Sequence, residues 1–139
     1  MANALCNKAG VSCRAKAAEH ILGKTNWAFV SGVLLHLYTG DPTTADTGGT
    51  EVTGGSYAAT AITWGSASDA GVISNSADIE FPAATADWAA GATKVTYGII
   101  KDGAGTPFSK IYFAFDVAKN VLSGDTVRIA AGDLSITVA

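Results

Sequence analysis

Apolar and polar side chains alternate residue by residue in several short runs of this chain. Around Ile62 and Trp64 every second side chain is apolar. The same holds around Ile79 and Phe81, where Asp78 and Glu80 take the opposite face. Successive side chains on a strand point to opposite faces, so these runs predict strands with one buried face. Gly, Ser, Asp and Asn bound each run and supply the turn chemistry. On this pattern strands are predicted over Tyr57 to Trp64, near Val72, and over Ala77 to Phe81, where Pro82 ends the run. Thr93 to Lys101 is the next, with Val95, Tyr97 and Ile99 on one face and Gly98 a candidate bulge. Asp102 to Pro107 reads as a hairpin connection to Lys110–Asp116, with Ile111, Phe113 and Phe115 inward. Beyond the Ser123-Gly124-Asp125 turn, Thr126 to Ala130 and Leu134 to Val138 form a terminal pair. Val33 to Thr39, VLLHLYT, is apolar on both faces except at His36, which predicts a strand covered on both sides.

Only the start of the chain changes period. In residues 3 to 22, Leu5, Ala9, Cys13, Ala17 and Ile21 recur near helical spacing, with Asn3 a candidate N-cap and Gly23 a candidate C′ residue. Gly10 and Val11 weaken the middle of this helix. Its stripe is narrow and made mostly of small residues, so it suits docking on a sheet edge or a neighbouring subunit more than standing free. Trp27 and Phe29 come next, in a connector. Two polar loops interrupt the strands, GDPTTADTGG at Gly40–Gly49 and AATADWAAGA at Ala83–Ala92, the second carrying Trp88. The expected fold is therefore mainly β: a single-domain antiparallel β-sandwich or small barrel of about eight strands with an N-terminal helical segment. Residues 1–24 form the arm and residues 25–139 the β-domain.

The composition then bears on how such a domain works. Length fits one domain at 139 residues, long enough to bury a core without staples. Charged residues make up only 15%, against about 25% in ordinary soluble domains. Thr, Ser, Gly and Ala fill the polar positions instead, and the mean hydropathy is +0.27. A freely soluble monomer usually keeps charge on its surface, so this depletion predicts a chain that hides surface in an assembly. The net charge of −3 lacks the basic excess of nucleic-acid binders. No run of 18 apolar residues is present to span a membrane, and the start shows no basic n-region with an apolar h-region.

Candidate chemistry is sparse. The histidines are His20 and His36; His36, in an apolar strand, is expected to be a hydrogen-bonded core or edge residue. No Gly-x-Ser-x-Gly elbow or phosphate-binding Gly-Lys-Ser/Thr loop occurs. The aspartates fall mostly at turns, where they bond their own backbone, and none forms a calcium-loop cluster. Cys6 and Cys13, seven residues apart on a continuous helix, would lie about 10.5 Å apart along its axis. That is too far for a disulfide, so both are expected to be reduced. No enzyme, cofactor or metal site is expected.

The runs LHLYTGDPTTADTGGTEVTGGSYAATAITW, ISNSADIEFPAATADW, VTYGIIKDGAGTP and SGDTVRIAAGDLSITVA carry a resemblance that spans the whole chain. The sequence resembles a widespread family of small tailed-bacteriophage virion proteins labelled tail fibre or minor tail protein, with related members acting as capsid cement or decoration proteins. Its most specific pieces are Thr50–Tyr57, Phe81-Pro82 with Ala86-Asp87-Trp88, and Ser123–Thr126 with Ala130–Leu134. Typical members have Arg or Gln shortly after the position of Tyr57, where this chain has Ala58-Ala59. The resemblance implies a structural virion protein made in the host cytoplasm. The leading expectation is a capsid cement protein that binds the major capsid protein and neighbouring copies of itself, without nucleic acid or membrane. The alternative is a tail fibre or baseplate component contacting the host surface. The candidate contact residues are Leu5, Cys13, Ala17, Ile21, Trp27 and Phe29 of the arm and its connector, Asp41 and Thr44 of the first loop, and Trp88 of the second.

Overall fold

The computed structural model describes residues 2–4, 11–24, 32–43, 47–103 and 110–137. The run with apolar residues on both faces forms β2 (Val33–Thr39), at the centre of a five-stranded sheet. On one edge it pairs antiparallel with β7 (Val95–Asp102), which pairs in turn with β8 (Lys110–Lys119). On the other edge lie two short strands, β3 (Thr50–Glu51) opposite Tyr38 and Thr39 and β4 (Thr60–Ala61) opposite Leu34 and Leu35. Leu35 and Leu37 point into the core with no exposed surface. By alternation Leu34, His36 and Tyr38 take the outer face.

Around this sheet lie a three-stranded sheet and a two-stranded ribbon. The first sets β10 (Ser135–Thr137) between β5 (Val72–Ser74) and a parallel β1 (Ala2–Ala4). The second pairs β6 (Ile79–Glu80) with β9 (Arg128–Ile129). Ile79, Phe81, Trp88, Val121, Leu134 and Ile136 join Leu35, Leu37, Ile100 and Phe113 in one hydrophobic cluster. The protein is thus mainly β, with sheets packed about a shared core and, among the described residues, one short helix near the N-terminus.

Five expectations change in detail, each for a physical reason. Asn3 is no N-cap: it lies in β1, paired with Ile136, and helix α1 spans Val11–Ile21. The Tyr57–Trp64 run does not form one ladder, because its partners switch. Tyr57 N–H closes a turn on Gly54, Thr60 and Ala61 pair with β2, and Trp64 bridges Asn75. The terminal strands do not pair with each other, since β9 goes to β6 and β10 to β5. The irregularity in β7 falls between Val95 and Tyr97, where the register slips. Gly98 has another role: a Cβ there would lie 2.5 Å from the Phe113 ring, so the missing side chain lets that ring cross β7. Finally, β8 runs on to Lys119. Residues 115–118 have no cross-strand partner on β7, and the strand arches away from the sheet there.

The C-terminus of α1 forms as expected. Gly23 adopts φ +72°. Lys24 N–H bonds Glu19 O at 2.8 Å and Gly23 N–H bonds His20 O at 3.0 Å, the paired bonds of a Schellman cap. The helix lies against β8.

Candidate functional site

The largest polar cluster grows from a gap in the sheet. The short strands β3 and β4 leave the middle of the β2 edge uncovered. Val52 N–H takes the Leu37 carbonyl, and the Tyr57 hydroxyl accepts Leu37 N–H at 2.9 Å. The Tyr57 ring reaches that edge from the core, stacked on Phe81 and edge-on to Trp88 at 5.3 Å. Its hydroxyl in turn donates to Glu51 Oε1 at 3.4 Å.

Glu51 is the hub. Cross-strand pairing sets it opposite Tyr38, whose hydroxyl donates to Oε2 at 3.1 Å. Lys101 Nζ donates to the same oxygen at 3.1 Å and to the Tyr38 hydroxyl at 2.7 Å, with the Tyr38 ring beneath it at 4.9 Å. His36 Nδ1 donates to Oε1. Burial of the His36 ring lowers its pKa, and nearby Lys101 adds to this against the opposing Glu51 bond. The imidazole is therefore neutral, with its proton on Nδ1. Burial works against ionised Glu51, but the bonds from His36 and Lys101 outweigh it and hold the carboxyl below its ordinary value. For Lys101 burial is likewise outweighed, by the Tyr38 and Glu51 bonds, so its pKa is raised and the amine stays charged. A permanently protonated lysine is no nucleophile, and both oxygens of Glu51 are already bonded within the chain. The arrangement ties β2, β3 and β7 together on the outer face. It is a staple across the sheet, and His36 is the hydrogen-bonded residue its apolar strand predicted.

Beside it, the first loop is anchored at its base. Asp41 is exposed, accepts Thr43 N–H at 2.8 Å and bonds the Tyr97 hydroxyl. Gly40 N–H reaches Thr96 Oγ1 at 2.8 Å, and Pro42 is fully buried. A second anchor is Asn75, 2% exposed. It uses all four of its side-chain hydrogen bonds: Nδ2 donates to Ala77 O and Ala130 O, and Oδ1 accepts Gly132 N–H and Leu134 N–H. The turn between β9 and β10 closes on this amide, which is why those strands separate to different sheets.

The expected contact residues divide sharply. Leu5, Trp27, Phe29 and Thr44 lie outside the described residues, as does Cys6. Cys13 falls within α1. Ala17 is half-buried and Ile21 is 76% exposed on α1. Trp88, expected at the surface of its loop, is only 7% exposed; its indole N–H donates to Gly55 O at 2.8 Å and its ring packs on Tyr57. Among the described residues no group of three or more His, Cys, Asp or Glu side chains is placed to hold a metal ion.

Sequence reasoning missed the exposed apolar surface at the far end of β8. Asp116 to Lys119 and Asn120 are exposed in succession, with Val117 at 61%. Beneath the arch opens a cavity of about 480 Å³, walled by Val95, Phe113, Phe115, Val121 and Leu134. The one visible signal was the length of the KIYFAFDVAK run, which alternates beyond Asp116.

The Glu51 cluster is spent on the chain's own sheet, and apolar surface is left exposed at the end of α1 and around the β8 arch. A model of the family described as podophage GP4 fiber I protein gp80 matches residues 9–137. The chain belongs to this family, and is a structural protein of the bacteriophage virion. Among curated proteins none matches it.

Proposed function

We propose that the protein is a component of the phage fibre apparatus that works by protein–protein contact, without catalysis. The observation that carries this is the match over residues 9–137 to a family described as a fibre protein. The self-contained Glu51 network and the low charged fraction of 15% fit a subunit whose surface serves other chains. A capsid cement protein is the second reading. The charge depletion favours it, because a chain with several interfaces of about 1,600 Å² each keeps little free surface. The two readings differ in stoichiometry. Quantitative mass spectrometry of purified virions, referenced to the major capsid protein, is expected to find a few tens of copies or fewer per particle. Hundreds of copies establish the cement reading instead.

A further inference from the structure

We draw no further inference here: the strongest candidate, the apolar cavity beneath the β8 arch with exposed Val117 on its lining, is an unpartnered apolar surface, and nothing in the structure shows what covers it.

Discussion

Replacing Glu51 with alanine should destabilise this protein more than any other single surface-accessible change. The Glu51 side chain is 31% exposed, but two of its donors are not: the side chains of His36 and Lys101 are 16% and 12% exposed. Truncation leaves the imidazole N–H without its acceptor and the ammonium without its counter-charge, with only the Tyr38 hydroxyl still accepting from it. An orphaned buried donor costs about 1–3 kcal/mol, more when charged. Removing one partner of a fully buried pair costs about 3–5 kcal/mol. Partial exposure admits water to the gap, so about 2–4 kcal/mol is expected. For a chain of this size each kcal/mol moves the thermal midpoint by roughly 3–5 °C, which places the variant on the order of 10 °C below wild type. The effect depends on pH with a definite sign. Both His36 and Glu51 have folded-state pKa values below their ordinary 6.5 and 4.5. The unfolded chain therefore takes up protons first as pH falls. Stability contributed by neutral His36 fades below about pH 6.5, and that from ionised Glu51 below about pH 4.5. Glu51 raises the His36 pKa, so its loss makes His36 harder still to protonate in the fold; the gap between wild type and Glu51→Ala should hold or widen between pH 7 and 5.5 and shrink only once Glu51 itself protonates, below about pH 4.5. Urea unfolding at pH 7, 5.5 and 4, with exposed Glu80→Ala as the control, measures this. A loss under about 0.5 kcal/mol at pH 7, the range of an ordinary surface substitution, or a gap that narrows between pH 7 and pH 5.5, would refute the staple.

Three other substitutions probe separate parts of the account. Asn75→Ala takes the side-chain partner from the buried Leu134 N–H and from Ala77 O, while Gly132 N–H keeps the Asn75 carbonyl and Ala130 O keeps Asp133 N–H, and should cost about 1–3 kcal/mol; Asn75→Asp should also destabilise, since a carboxylate cannot donate to Ala77 O and Ala130 O, and urea titration reads both. Gly98→Ala sets a methyl 2.5 Å from the Phe113 ring and should cost about 1–3 kcal/mol of overpacking; Phe113→Leu in the same chain should recover part of that loss in a thermal melt. Deleting residues 1–24 removes three residues of strand pairing and a helix resting on small side chains, so the midpoint should fall by only a few degrees while retention on virions, read by sedimentation with purified particles, is lost.

Much of the fold was legible because burial imposes period two. Ile79 and Phe81 inward with Asp78 and Glu80 outward is a pattern only one register satisfies, and β2 matched its predicted span residue for residue. What alternation does not carry is the choice of partner. Thr126–Ala130 and Leu134–Val138 look like a hairpin in sequence, yet one buried amide, Asn75, some 55 residues upstream of Ala130, draws the turn onto itself. Trp88 misled for a related reason. A tryptophan in a polar Ala-rich loop reads as exposed, but here the chain folds back so that Gly55 O meets its N–H. The Glu51 cluster was half visible: His36 alternated onto the polar side of its strand, whereas Glu51 and Lys101 reach it from separate strands far along the chain, a proximity that only the sheet order creates. The arm's apolar stripe pointed to contact, and its exposed end at Ile21 and Leu22 emerged only with the helix boundary.

Locating the protein on the particle tests the central claim most directly. Virions carrying a tagged copy of the chain, labelled with gold-conjugated antibody and imaged by electron microscopy, are predicted to show gold on fibres or the tail. Purified, infectious particles that carry no label, while the tagged chain accumulates free in the lysate, would contradict the assignment as a structural part of the virion.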